Sequence, residues 1–310
     1  MALVALPLAA LLGFQRPGRR EAAVAGVLVA LVAWNALAPA DDFARFERAW
    51  VFLLAGGLVV ALAWRPPAAV GVVGTALLAV TLAALAGAVL MALTRFSWNE
   101  LQWLATRHYG AQVRLVVGAL AAATAGTPAA ADSTAAGSAM VDALERSANA
   151  MVRVVGEVLP AFVLVQSLAA IAVAWAIYQA LAREPERATL PAMRDFRFND
   201  HLIWGVVLAL TALVIAPGLA AMGVVGTRAT GVTRLVGENL AVFFGSLYLI
   251  RGMGVGSAVA AAAGFKGPAA FVFGLVATLF LMPIVVAVGL ALGVTDTWLD
   301  WRTRLNREKR

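Results

Sequence analysis

Few side chains in this 310-residue chain have types and spacings that could do chemistry, and most of them fall in its second half. Arg251 stands inside an apolar segment running from Gly237 to Phe265. A guanidinium there is costly unless it pairs, meets water or snorkels to the interface. It would serve either as a contact for an anion or carboxylate between helices or as half of a structural ion pair. Glu238 and Asn239 open the same segment, with Arg234 and Tyr248 nearby, and would line a polar vestibule. Glu238 is 13 residues from Arg251, roughly 20 Å along a helix, so it is not the arginine's partner on that helix. Arg251, Glu238, Asn239 and Tyr248 form the candidate ligand-binding set.

The neighbouring motifs have plainer readings. Gly252 and Gly256 have the Gly-x-x-x-Gly spacing that lets helix backbones approach closely. Asn199, Asp200 and His201 precede an apolar run that opens with Trp204. One histidine beside one carboxylate is not a metal site, so Asn199 or Asp200 is expected to cap the helix while Phe196, Phe198 and Trp204 sit at the interface. Asp296, Asp300 and Arg304 follow one another at i,i+4 and read as a structural ladder on one helix face. No metal or cofactor is implied. The chain has no Walker A loop, no His-Glu-x-x-His and no Gly-x-Ser-x-Gly elbow, so it does not read as an enzyme. Without cysteine, a thiolate nucleophile or a disulfide scaffold is excluded.

What must position these residues is a membrane. The chain is 62% hydrophobic and 13% charged with a mean hydropathy of +0.87, against about 25% charged for a soluble domain. The expected fold is an all-α, polytopic integral membrane helix bundle, one domain over 1–310. About eight transmembrane helices are expected: 1–14 (short or re-entrant), 22–38, 49–64, 68–94, 158–182, 202–222, 237–262 and 268–292. Trp34, Trp50, Trp64, Trp204, Trp298 and Trp301 fall near segment ends, where indoles settle at the headgroups. Pro217 and Pro283 lie inside segments and read as kinks. The net charge of +7 is spread in short runs between spans, which suits anionic lipid better than nucleic acid.

Residues 95–153 are the one long connection. Ser97-Trp98-Asn99-Glu100 has the capping-box pattern and starts a helix with Leu101, Leu104 and Val113 on its apolar face. Ala121–Ser138 reads as a linker. A second amphipathic helix follows, with Met140, Leu144, Met151 and Val155 opposite the Asp142–Arg146 and Arg153–Glu157 pairs. Both helices are expected at the interface or against the bundle. If eight spans alternate, both termini share one side, and an N-in, C-in arrangement places 14 Lys and Arg inside against nine outside. The basic tail, 297–310, tips that balance.

The stretches Phe196–Trp204, Glu238-Asn239-Leu240 with Tyr248-Leu249 and Gly252, and Leu292-Gly293 through Asp296, Asp300 and Arg302 resemble the YybS-like family of bacterial membrane proteins. The resemblance covers about residues 155–305, and Arg251 departs from a family pattern with glutamine before that glycine. It implies a bacterial inner-membrane location and no defined activity. Ala5-x-x-x-Ala9 is similar to the small-residue helix face of vitamin-transporter substrate-binding components, an analogy of fold alone. The expected function is transport-related binding or translocation of a small molecule between helices. The alternative is a non-transporting scaffold or assembly factor that holds protein partners, a second copy of itself or anionic lipid.

Overall fold

The structure is a computed structural model that describes residues 2–14, 18–64, 67–125, 134–182, 189–223, 226–264, 276 and 280–307. The chain folds as an all-α bundle: α1 (Ala2–Phe14), α2 (Arg19–Leu37), α3 (Asp42–Trp64), α4 (Pro67–Thr94), α5 (Trp98–Ala125), α6 (Thr134–Glu157), α7 (Leu159–Leu181), α8 (Ile203–Ala221), α9 (Thr227–Ala262), α10 (Met282–Leu299) and α11 (Trp301–Arg307). Among the described residues, seven helices are long and apolar enough to cross a membrane: α2, α3, α4, α7, α8, α9 and α10. Lipid is the natural contact for their exposed apolar faces. The 13 residues of α1 span only about 20 Å, short of a bilayer core. This helix is instead buried within the bundle through Leu6, Leu8, Leu11 and Leu12, as a short first helix should be.

The first core joins α1, α3, α4 and α7 around Leu54, Leu58, Ala79, Ala83, Ile171 and Trp175. Small residues set its closest approach: a Cβ on Gly57 would stand 2.5 Å from the Ala79 carbonyl oxygen. Trp50 is buried here, and its indole donates to Ser167 Oγ at 2.9 Å, so it is a packing residue and not the headgroup anchor expected from its position. Trp34, Trp64, Trp204 and Trp298 are exposed, as interface indoles are. In α4, Gly71 adopts φ 75° and breaks the helix. The crossing segment is therefore Val70–Thr94.

α5 and α6 form an antiparallel hairpin in which Gly156 of α6 packs on Gln102 and Thr106 of α5. The capping box is built as its sequence implies, with Ser97 N donating to Glu100 Oε2 (2.6 Å) and Glu100 N to Ser97 Oγ (3.2 Å). That exchange holds the Glu100 carboxyl below the usual carboxylate range. Only 126–133, outside the described residues, remain of the expected linker, because both helices extend into it. Arg146 Nε donates to the Asp142 carbonyl rather than to its carboxylate. The hairpin meets the bundle at its base, where Leu101 and Ala105 pack on Phe43 and Leu159. His108 there bonds Asp41 Oδ2 at 2.9 Å and lies against Phe43.

α10 departs from the expected 268–292 segment. Residues 265–275 and 277–279 lie outside the described ones, and the helix begins at Met282 with Pro283 in its first turn, directly after a bend at Leu281 that follows the helical Phe280. Pro217 does lie within α8. Gly245 faces Leu290, Tyr248 faces Gly293 and Arg251 faces Asp296, a constant offset of 45 residues, so α9 and α10 run parallel. Ala2 and Leu3 share a cavity with Asn35 and Phe43 at the end carrying the α5–α6 hairpin, whereas Arg302 meets Phe196 at the other end. The start of α1 and the end of α10 thus occupy opposite ends of the bundle, not the same side.

The α9–α10 contact depends on glycine. A Cβ on Gly252 would lie 1.7 Å from the Gly289 carbonyl oxygen, and one on Gly293 would lie 1.9 Å from that of Tyr248. The close pair is therefore Gly252 with Gly289-x-x-x-Gly293, while among the described residues Gly256 has nothing within 4 Å. Overpacking of this kind costs about 1–3 kcal/mol or more. Gly293→Ala should lower the melting temperature in detergent by several degrees, with Gly256→Ala leaving it unchanged or slightly raised because alanine favours helix.

Candidate functional site

Arg251 is reached from three elements. α9 carries it, α10 brings Asp296 to its side, and the segment before α8, turned by Met193–Asp195 and Asp200–Leu202, lays Asp200 and Phe198 over it. Asn199 caps that last turn by accepting from His201 N at 3.0 Å, the capping role assigned to this motif. Arg251 Nε donates to Asp296 Oδ2 (3.0 Å) and Nη1 to Asp200 Oδ1 (2.7 Å). The Phe198 ring lies 5.4 Å from the guanidinium carbon, and Tyr248 packs edge-on to Phe198. Such a face-on contact adds cation–π attraction.

Arg302 closes the cluster from behind. It donates Nη1 to the Phe196 carbonyl (2.9 Å) and Nη2 to the Arg251 carbonyl (3.1 Å), and Nη2 stands 3.7 Å from Asp296 Oδ2. Gly254 makes room for this, since a Cβ there would lie 2.4 Å from the Met193 carbonyl oxygen. Arg302 was absent from the candidate set, although it closes the motif that carries the family resemblance; three positions beyond a helix end, it otherwise reads as part of the basic tail. Two arginines thus face two aspartates. The side chains of Arg251 and Asp296 are 3% and 0% exposed, while Asp200 is 63% exposed at the rim.

The i,i+4 ladder Asp296–Asp300–Arg304 does not form. α10 ends at Leu299 and Asp300 takes a left-handed conformation (φ 40°, ψ 59°), which turns it off the helix face. Asp300 pairs with Arg197 and accepts from Thr303 Oγ1 at 2.7 Å, and Arg304 is exposed. The Thr303 hydroxyl, with Arg197, holds the Asp300 carboxyl below the usual range.

Glu238 and Asn239 lie elsewhere. Glu238 pairs with Arg234 at 2.7 Å. Asn239 accepts from Ala161 N (3.0 Å) and donates to the carbonyls of Glu157 (3.0 Å) and Leu235 (2.9 Å), which stitches α9 to the α6–α7 junction. The candidate ligand set is therefore divided: Arg251 and Tyr248 belong to the ion-pair cluster, Glu238 and Asn239 to a structural clamp at the hairpin end. His201 is exposed beside Asp200, and among the described residues no group of three His, Cys, Asp or Glu could hold a metal.

The principal apolar cavity lies away from Arg251, between α3, α4, α5 and α7 at the hairpin end. It is open on one side, has a volume of about 650 Å³ and is lined by Trp50, Gly87, Met91, Trp98, Leu104 and Val163, with Asp42 and Arg45 at its rim. Volumes of about 300–1,000 Å³ with mostly apolar walls are typical of ligand pockets. Trp98 lines this cavity, but its Nε1 is closed off from it and has no hydrogen-bond partner among the described residues. No family model matches this chain, and no curated protein or solved structure matches it.

Two outcomes follow from the cluster. Arg251→Met leaves Asp296 short of its nearest counter-charge and should destabilise the protein by about 3–5 kcal/mol in thermal unfolding, with Arg251→Met/Asp296→Leu recovering part of that loss and Arg304→Ala having no effect. A carboxylate with a depressed folded pKa contributes stability that is present above its unfolded value of about 3.9 and is lost as pH falls through the folded value. The drop in melting temperature on acidification below that value should therefore be shallower in Asp300→Asn.

Proposed function

We propose that this multi-pass helical membrane protein binds a small apolar molecule in the cavity between α3, α4, α5 and α7, in a transport-related and non-catalytic role. The cavity itself carries this reading: it is of ligand size, apolar-walled and placed between helices that face lipid. It keeps small-molecule binding between helices but moves it from Arg251, whose charge is already answered by two carboxylates. The resemblance to YybS-like proteins is part of the same proposal.

Basic residues favour one orientation. Among the described residues Arg19, Arg20, Arg194, Arg197, Arg302, Arg304 and Arg307 belong to the Arg197 and Arg302 end, and the sequence next to them adds Arg16, Arg65, Arg183, Arg187, Lys309 and Arg310, against nine Lys and Arg at the hairpin end. By the positive-inside rule the tail end faces the cytoplasm of a bacterial inner membrane, with the α5–α6 hairpin on the opposite face.

A second reading has its own observation. Leu115 and Val116 of α5 and Met151 and Val154 of α6 are 57–75% exposed, as a scaffold's partner-binding surface would be.

The two readings separate experimentally. A Cβ on Gly87 would meet only the cavity-wall side chains Trp50 and Leu53, at 3.5 Å or more, so a leucine there grows into the cavity. Thermal-shift assays of the purified chain against fatty acids, isoprenoids and hydrophobic metabolites should show stabilisation that Gly87→Leu abolishes. No stabilisation by any compound, together with a stoichiometric protein partner lost in Leu115→Glu/Met151→Glu, would replace this reading with the scaffold.

A further inference from the structure

We infer that a second cavity, beside the apolar one, takes a small molecule through its protonated amino group, with Glu47 as the anion and Asn35, Tyr109 and Gln166 as hydrogen-bonding partners. This site goes beyond the role proposed above and does not rest on it. The cavity has a volume of about 300 Å³ and lies at the hairpin end, among α1, α2, α3, α5 and α7. Phe46, Trp50 and Val163 line both cavities. The rest of the lining differs in kind, because four helices each bring a polar side chain to it: Asn35 from α2, Glu47 from α3, Tyr109 from α5 and Gln166 from α7.

Such a convergence is costly in a membrane. Glu47 and Gln166 belong to helices long and apolar enough to cross a bilayer, and Gln166 is seven residues past the start of α7 at Leu159, about 10 Å along the axis. A carboxylate or amide at such a place must be answered by water or by a partner. Asn35, Glu47 and Gln166 are exposed where they line the cavity, and among the described residues none of the four side chains makes a hydrogen bond or an ion pair. The charges that act on Glu47 among those residues are His108 and Asp41, which already bond each other at 2.9 Å. Burial and the nearby Glu47 hold the Tyr109 phenol above its usual range, so its hydroxyl stays neutral and can donate.

A carboxylate only accepts hydrogen bonds, and an ammonium group only donates them. The amide oxygens of Asn35 and Gln166 supply further acceptors. An inorganic cation would leave Phe46, Trp50, Val51 and Val163 facing water, whereas the apolar body of an organic amine covers them. Two sources carry this chemistry. One is a simple amine. The other is an amino acid, whose carboxylate would meet Arg48, a lining residue held in place by Nη1 bonds to the carbonyls of Ala36 (3.1 Å) and Ala38 (2.7 Å).

The test compares three ligands with one phenyl body, phenethylamine, phenylalanine and hydrocinnamate, by thermal shift of the purified chain in detergent. The amine or the amino acid should stabilise the parent, and hydrocinnamate, which lacks an amino group, should not. Glu47→Gln removes the charge at nearly constant shape and should weaken that binding about tenfold to hundredfold, the loss expected for a hydrogen bond to a charged group. Gln166→Leu suits an apolar helix, should melt at or above the parent temperature without ligand, and should weaken binding about threefold to tenfold. Tighter binding of phenylalanine assigns an amino acid, and tighter binding of phenethylamine assigns a simple amine. Stabilisation by neither at millimolar concentration, hydrocinnamate bound as tightly as the amine, or amine binding unchanged in both variants overturns the assignment.

Discussion

A guanidinium within a membrane helix must be answered where it stands, and the tail-end half of this bundle is arranged around that requirement. Arg251 can reach Asp296 only if α10 lies almost in backbone contact with α9, which is possible only with Gly252, Gly289 and Gly293 at the crossing. It can reach Asp200 only if the segment before α8 folds back over α9, which Gly254 permits and the Arg302 bonds to Phe196 and Arg251 hold in place. Breaking a buried pair by removing one member is costly even where the pair itself adds little net stability. The cluster therefore fixes the arrangement of α8, α9 and α10 more than it provides a place for solute.

The parallel course of α9 and α10 sets the topology. Helices that share a direction and touch through glycines put Asp300, Arg302 and the basic tail at the end opposite the start of α1. The same arrangement gathers the basic tail with Arg194 and Arg197 at one end of the bundle. It also puts the apolar cavity and the α5–α6 hairpin at the less basic end.

Fold class was legible because hydropathy reports the solvent directly: charge-free stretches of span length became helices, and the capping box at Ser97 marked the start of α5. Residue types also singled out Arg251, Asp200, Asp296 and Tyr248, and each is in the ion-pair cluster. Their partnerships were not legible. Asp296 and Asp300 look alike at i,i+4, and only the left-handed turn at Asp300 sends one to Arg251 and the other to Arg197. Gly256 matched a packing spacing and Gly254 did not, yet which of them meets a neighbour depends on the direction of α10. Trp98 read as the second residue of a capping box, and only the packing of α3, α4, α5 and α7 makes it part of a cavity wall.

The central proposal is a division of labour between the two ends, in which an ionic cluster holds the bundle together and the cavity under α5 is the proposed place for a guest. Photolabelling with a fatty acid that carries a diazirine on its chain, followed by peptide mapping, tests this most directly. The account predicts modification within residues 84–104 and 159–164, the stretches of α4, α5 and α7 that wall the cavity. Modification concentrated within 248–254 and 296–302, with the cavity stretches unlabelled, would contradict it.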